Sequence, residues 1–280
     1  MKLDFSVLKQ DEGKSLGEFL RHQGLSRRLI ISLKKEPGGM TVNGTPEKTI
    51  YIIKEGDMVS VTLPDDSTEI EPNGTLDVPI IFEDGHIVVF NKPYGMPCHP
   101  SIKHRSDTLA NYFSFLYPDK TFRCLNRLDR DTSGLCICAK DSFSANALSG
   151  GVEKTYYAAV CGKICDSGTV DAPIARERES IIIRCVRTDG QRAVTHFLPI
   201  KQAESHTLLE INLETGRTHQ IRVHMAHIGH PLAGDDLYGG DASLERHALH
   251  CGRLVFVHPI EKEKIELFAP LPKDIEGLFE

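Results

Sequence analysis

The chain has 280 residues, 40% of them hydrophobic and 26% charged, with a formal net charge of -6 and an isoelectric point near 6.1. That is enough apolar material for one large domain and a small one, and it excludes a chain disordered throughout. No global positive field advertises a nucleic-acid partner, so such a contact has to come from local patches. The start, MKLDFSVLKQDEG, lacks a basic n-region followed by an apolar h-region, and no apolar run reaches about 18 residues. A soluble, cytoplasmic protein with no membrane segment is expected. The eight cysteines, at 98, 124, 136, 138, 161, 165, 185 and 251, show no paired C-x-x-C spacing, so reduced thiols and no metal are expected. Cys136 and Cys138, two apart in a predicted strand, should share a face as small hydrophobes.

In chain order, Ser15 is placed to cap a helix over 15–22 that buries Leu16, Phe19 and Leu20 and ends at Gly24. Ser26 can cap a second, Arg27 to Lys35, with Leu29, Ile30 and Leu33 inward and Arg27, Arg28, Lys34 and Lys35 solvated. Five basic residues and one acid fall between Arg21 and Glu36, and Pro37 stops the helix. Two short strands follow, around Met40–Gly44 and Gly56–Leu63. The series LSRRLIISLKK, VNG and GD-M-V-S-V resembles the alpha-L RNA-binding motif. The resemblance covers residues 1–63 and implies a small N-terminal α/β module that contacts RNA through Arg27, Arg28, Lys34 and Lys35. Residues 64–78 carry five acids, no base and two prolines, and read as an acidic linker.

From residue 79 to the end at 280 a larger domain is expected. Pro79–Phe82 and His86–Phe90 read as strands, and Asn91 to Pro97 as a rigid loop. Asp107 is placed to cap a helix through Leu116, and Asp141 one to about Leu148. In the strand Lys154–Gly162, alternation puts Tyr156, Ala158 and Val160 on one face and Tyr157, Ala159 and Cys161 on the other. Ile181–Thr188 and Val194–Pro199 flank Asp189-Gly190, a hairpin signal. Thr207 to Glu214 alternates as a half-buried antiparallel strand. Arg217 to Gly229 reads as a helix with Ile221, Met225 and Ile228 inward, and Leu249–His258 and Lys264–Phe268 as paired strands.

The stretch Arg123 to Lys140, RCLNRLDRDTSGLCICAK, is too crowded with charge for a core and reads as a loop lifted from a strand by its Thr-Ser-Gly turn. Asp129 stands between Arg127 and Arg130. Guanidinium neighbours keep a carboxylate ionised, which suits a nucleophile. A second carboxylate of this type is missing, since Asp131 fits a turn-stabilising role better, so paired-carboxylate hydrolysis is disfavoured. Taken singly, Asp129 reads equally well as a turn cap, whereas Tyr156 reads sooner as a sheet aromatic and Arg222 as a surface ion-pair partner.

Asn126-Arg-Leu-Asp129-Arg-Asp-Thr-Ser-Gly134-Leu resembles the central motif of the RluA family of pseudouridine synthases, of the kind that acts on large-subunit ribosomal RNA. Further stretches agree in order: Asn91-Lys-Pro with His99-Pro100, Lys154-x-Tyr156-x-Ala-x-Val-x-Gly162, Gly216-Arg-Thr-His-Gln-Ile-Arg-Val-His224, and Gly229-His-Pro-Leu-x-Gly-Asp235 with Tyr238-Gly239. The family often has His where this chain has Asn126, a position that supports the loop.

The resemblance implies a cofactor-free isomerase that turns uridine into pseudouridine in RNA. It makes Asp129 the catalytic carboxylate, Arg222 its partner, and Tyr156 the aromatic that packs on the base and serves in proton removal. Arg127 would fill the space left by the flipped base, with Arg130 and Arg217 completing a basic groove. His224, His227 and His230 recur every three residues, but no H-E-x-x-H stands there and the family uses no metal. The expected fold is α+β: a catalytic domain on a mostly antiparallel mixed sheet, the pseudouridine synthase fold, with the small RNA-binding module ahead of it. Ribosomal RNA is the expected partner, with transfer RNA open. A non-catalytic RNA-binding protein on the same scaffold, and a glycosylase that releases free uracil, are the alternatives.

Overall fold

The computed structural model describes residues 2–63, 70–177 and 182–280. The first half of the expected linker, 64–69, and Ile181 at the head of an expected strand lie outside these.

The N-terminal unit is a sheet of β1 (Lys2–Ser6), β2 (Met40–Val42), β3 (Thr45–Pro46) and β4 (Met58–Thr62), in the order β1-β4-β2-β3. Against it pack α1 (Leu16–His22) and α2 (Arg27–Leu33). Both caps are as the sequence suggests. Ser15 closes a capping box with Glu18, and Ser26 accepts the Leu29 N–H, satisfying amides that the first turn leaves without partners. Leu16, Phe19, Leu20, Leu29, Ile30 and Leu33 are buried, whereas Arg27, Arg28, Lys34 and Lys35 are exposed. The strand β1, which no periodicity announces, completes the sheet by pairing antiparallel with β4.

The larger unit is built on one sheet. Its strands are β5 (Ile80–Glu83), β6 (Ile87–Lys92), β7 (Arg123–Cys124), β8 (Ser133–Ala139), β9 (Glu153–Cys161), β10 (Gly168–Asp171), β13 (Val194–Gln202), β14 (His206–Leu213), β15 (Leu249–Val257) and β16 (Lys264–Phe268); β11 (Ile174–Arg176) and β12 (Arg184–Val186) form a separate ribbon. The order runs β10-β13-β14-β9-β15-β8-β6-β5, with β16 on β15 and β7 on β8. Among the described residues the pairing is antiparallel except between β15 and β8, where His250 lies beside Ser133 and Cys251 beside Gly134. The helices are α3 (Leu109–Leu116), α4 (Ser142–Leu148), α5 (Gln220–His227) and α6 (Lys273–Glu276).

Alternation sorts the central strands as expected. Tyr156, Ala158 and Val160 of β9 join Leu209 and Ile211 of β14 in the main core, while Ala159 and Leu208 pack on the other face with Ala233 and Ile275. β8 is buried along its whole length, as a central strand covered on both faces must be.

Four expectations are corrected. Thr108, not Asp107, caps α3, because Asn111 completes a capping box with it while Asp107 turns to His104 at 2.6 Å. Asp189-Gly190 does not join a hairpin of 181–188 with 194–199: β12 pairs with β11, and β13 lies between β10 and β14. The α5 helix begins at Gln220, three residues later than expected, because His219 adopts a left-handed backbone with φ 57°; Ile228, expected inward, is 36% exposed.

The two units touch. Phe143 of α4 belongs to the N-terminal core, its ring 6.3 Å from that of Phe5, and Asn146 donates to the Gly24 carbonyl at 2.9 Å. Residues 70–78 lie against the larger unit, where Val78 is buried and Asn111 donates to the Glu71 carbonyl at 2.7 Å.

Candidate active site

Asp129 stands on the loop between β7 and β8, and that loop is tied down along its length. The Asn126 side chain donates to the Leu135 carbonyl and accepts from the Ile137 amide, both at 2.8 Å, so it clamps the loop's entry to the strand that forms its exit. Lys92 has no exposed surface; its ammonium donates to the carbonyls of Pro93, Met96 and Arg130 at 2.8, 2.7 and 3.1 Å. Burial lowers its pKa to about 8, and the three carbonyls stand in for the lost water. The Thr132 amide donates to the Asp129 carbonyl at 3.2 Å, closing the turn. Thr132 and Ser133 are held through their hydroxyls by His247 at 2.8 Å and His250 at 3.0 Å, and Arg246 donates to the Asp131 carbonyl at 3.2 Å.

Arg222 comes from the first turn of α5. Gln220 fixes the start of that helix: its carbonyl oxygen accepts from Thr215 and the Arg217 amide, and its amide donates to the Val194 carbonyl and to Thr195. Arg222 Nη1 lies 3.6 Å from Asp129 Oδ2, so the expected pair is brought together. Its stronger bonds go elsewhere. Nε and Nη2 donate to the two oxygens of Asp235, each at 2.7 Å, and the guanidinium lies 5.0 Å from the Tyr238 ring centroid. Burial opposes the Arg222 charge, but Asp235 outweighs it and the pKa is raised. A bidentate pair of this kind fixes the guanidinium plane.

Tyr156 reaches the same place from β9. It is 8% exposed and lines, with Asp129, Arg222, His219 and Leu213, a recess of about 70 Å³. That recess opens off a cleft of about 1060 Å³, whose walls include Arg127, Lys154, Asn212 and Arg217. Burial, then the Cys251 thiol and the Asp129 carboxylate, push the Tyr156 pKa well above its ordinary value, so the phenol keeps its proton. His219 adds a ring that carried no assigned role in its motif. Its Nε2 is 3.7 Å from Asp129 Oδ2, its Nδ1 is 2.8 Å from the Tyr238 hydroxyl, and burial lowers its pKa, leaving it neutral at neutral pH.

The arginines divide. Arg127 and Arg217 line the cleft. Arg130 is not among its lining residues; its guanidinium makes a two-pronged pair with Asp131 at 2.9 Å on each arm. Glu214, an acid on the cleft wall, pairs with Arg192 at 2.9 Å and lies 3.0 Å from His196 Nε2. Of the histidine series, His224 is buried, with Nδ1 facing Thr195 and Nε2 the Ala172 carbonyl, a core role. Lys92, His219, Asp235 and Tyr238 were all present in the ordered motifs, but only the fold reveals what each one touches.

A loop carboxylate thus lies 3.6 Å from a buried guanidinium, and both line a recess that a buried tyrosine lines as well. Residues 86–227 match the sequence model of the RNA pseudouridylate synthase family. The chain is 40% identical over 276 residues to the uncharacterized RNA pseudouridine synthase YjbO of Bacillus subtilis, covering 93% of this chain and 96% of that one. It is 38% identical over 308 residues to the ribosomal large subunit pseudouridine synthase D of Pasteurella multocida, covering 100% of this chain and 93% of that one. The fold is similar to human RNA pseudouridylate synthase domain containing 1, with a TM-score of 0.58 at 25% identity over 71% of this chain and 86% of that one. The chain belongs to the RNA pseudouridylate synthase family and isomerises uridine to pseudouridine in RNA. Among the described residues no helix is long and apolar enough to cross a membrane.

Proposed function

We propose that Asp129 is the catalytic carboxylate of this isomerase, Arg222 its ion-pair partner and Tyr156 the group that packs on the uracil and handles its proton. The observation that carries this is the shared recess, which all three residues line from three different segments of the chain. The target uridine leaves its stack and enters the recess, while Arg127 at the rim takes the vacated place. Asp129 attacks the nucleotide or assists departure, the bond from the sugar to ring nitrogen breaks, and the uracil turns. A bond from the sugar to carbon 5 then forms, the hydrogen on carbon 5 leaves as a proton, and the ring nitrogen freed from the sugar takes up a proton, so that the product is an isomer of uridine. Asp129 shares the Arg222 guanidinium with Asp235, and burial, by lowering the His219 pKa, disfavours a further charge on the ring beside it.

The substrate is read as ribosomal RNA, met in the cytoplasm. The likeness to large-subunit enzymes supports this, as do the exposed Arg27, Arg28, Lys34 and Lys35 on α2 and its end, which suit a second contact with a folded RNA. Incubation with RNA carrying 5-tritiated uridine tests the assignments. The wild type should release tritium to water from ribosomal transcripts faster than from transfer RNA, and Asp129→Asn should bind RNA but release none. Release by Asp129→Asn at the wild-type rate sinks the catalytic assignment, and a preference for transfer RNA sinks the substrate.

A further inference from the structure

The strands that carry the catalytic loop bring three thiols together beneath it. Cys124 on β7 and Cys136 on β8 have their sulfurs 3.3 Å apart. Cys98, in the loop after β6, lies 4.0 Å from Cys136, and all three sulfurs fall within 4.8 Å of one another. All are free thiols, Cys98 and Cys136 buried and Cys124 half-buried. Cys98 and Cys124 also line the cleft, so the cluster has a route to solvent.

The spacing matters because soft ions bind thiolate at about 2.3 Å, which puts the sulfurs of a trigonal or tetrahedral site about 3.8–4.0 Å apart. The observed separations bracket that range, and small side-chain rotations would equalise them. Small apolar side chains would fill the same space, whereas thiolates are the ligands that soft ions select. We propose that Cys98, Cys124 and Cys136 form a three-thiolate site for a soft ion of the Zn²⁺ or Cu⁺ class, entered from the cleft, and that filling it slows the enzyme by shifting the catalytic loop.

The coupling runs through hydrogen bonds that the thiols make to the loop backbone. Cys98 Sγ accepts from the Leu128 amide and donates to the Leu128 carbonyl, both at 3.4 Å. Cys136 Sγ donates to the Asn126 carbonyl at 3.4 Å. An ion takes these groups as thiolates and displaces their protons. The carbonyls of residues 126 and 128 then lose their sulfur donors, and Leu128 is the residue before Asp129. Because Cys98 and Cys124 line the cleft, water or His99, which lines it too, can complete the shell.

A second cluster provides the control. Cys161, His206 and Asp241 also lie within 4.8 Å of one another, but His206 and Asp241 already pair at 2.7 Å. The test uses the reduced, metal-stripped full chain, titrated separately with Zn²⁺ alone and Cu⁺ alone. Native mass spectrometry counts the bound ion, alkylation maps the protected thiols, and tritium release follows turnover. At least one of the two ions should bind in one equivalent and protect Cys98, Cys124 and Cys136. Turnover should fall as that equivalent fills and recover on chelation.

Cys124→Ser and Cys136→Ser should weaken binding on the order of 10–100-fold, as loss of even an outer-shell partner does, while Asp241→Asn leaves it unchanged. Should Cys136→Ser not fold, the half-buried Cys124 still decides the matter. The proposal is overturned if neither ion binds, if Asp241→Asn removes the bound ion while Cys124→Ser keeps it, or if the filled site leaves turnover unchanged. The count of bound ions is independent of the catalytic assignments.

Discussion

Arg222 faces two carboxylates at once: Asp235 grips Nε and Nη2 at 2.7 Å each, and Asp129 meets Nη1 at 3.6 Å. Asp235 has no exposed surface. The loose contact is therefore the one to the group expected to react, and the tight contact is the one that sets where the guanidinium sits. Asp235→Asn should leave Arg222 buried beside a neutral amide. Breaking a buried pair in this way destabilises by about 3–5 kcal/mol, and thermal unfolding should register it. Turnover should fall with it at temperatures where the variant is still folded. A variant with unchanged melting and unchanged tritium release would show that Asp235 positions nothing.

Tyr156 separates into a ring and a hydroxyl. Tyr156→Phe keeps the ring in its recess and removes the phenol, so RNA affinity should hold while tritium release drops by about 10²–10⁴, the range for a positioned proton carrier. Tyr156→Leu should lose affinity as well, since the stacking face goes too. A Phe variant that releases tritium at the wild-type rate would reduce Tyr156 to a packing residue. Because the phenol's pKa is raised, no alkaline limb at the ordinary tyrosine pKa should appear in the wild-type rate profile.

Two histidines under the loop make the fold acid-sensitive. Burial holds His247 at about 2 and His250 at about 4, against about 6.5 in an unfolded chain. Below pH 6.5 the unfolded chain takes up protons that the folded rings refuse, so stability is complete above that value and is lost as the pH falls, down to about 4 for His250 and about 2 for His247. Between pH 7 and pH 5 the pair together should lose about 4 kcal/mol. Melting at those two pH values measures it. His250→Gln, which can still bond Ser133, should remove about half of the slope; an unchanged slope would acquit His250.

The N-terminal module should act through salt. Arg27→Ala, Arg28→Ala, Lys34→Ala and Lys35→Ala should each lower RNA affinity, and each residue that meets a phosphate should reduce the slope of log affinity against log salt by about 1. Turnover at saturating RNA should not change. Equal slopes for the wild type and all four variants would remove the module from the RNA contact.

How much could be read from sequence follows the range of each interaction. The caps at Ser15 and Ser26, the alternation in β9 and β14 and the loop at Asp129 are local, and residues within a few positions decide them. Asp189-Gly190 shows where locality ends. The turn is there, with the Gly190 amide bonded to the Arg187 carbonyl at 2.9 Å. Yet a Cβ at Gly190 would sit 2.6 Å from the backbone of Ile174, so the glycine serves a close approach to β11 that no nearby residue announces. The α3 cap was missed by one position because Asp107 and Thr108 both qualify, and only the reply from Asn111 separates them. The partnership of Arg222 with Asp235 is of a third kind. Both residues stood in the motifs, but the turn after α5 that brings the carboxylate back is a property of the whole fold. Arg130 fails as a groove residue for a plain reason: its neighbour Asp131 is near enough to claim it.

Gly134 has φ 114°, and a Cβ there would lie 2.3 Å from the Cys251 carbonyl oxygen and 2.6 Å from its nitrogen. The strand leaving the catalytic loop thus meets β15 main chain against main chain. No neighbouring side chain can shrink to admit a larger residue, because the obstacle is peptide. Surface positions of the loop can drift over generations and core positions can trade volume with one another, but this junction has no such latitude. It works as a fixed datum from which the reach of Asp129 is measured, and changes elsewhere in the sheet should erode stability well before they misplace the carboxylate.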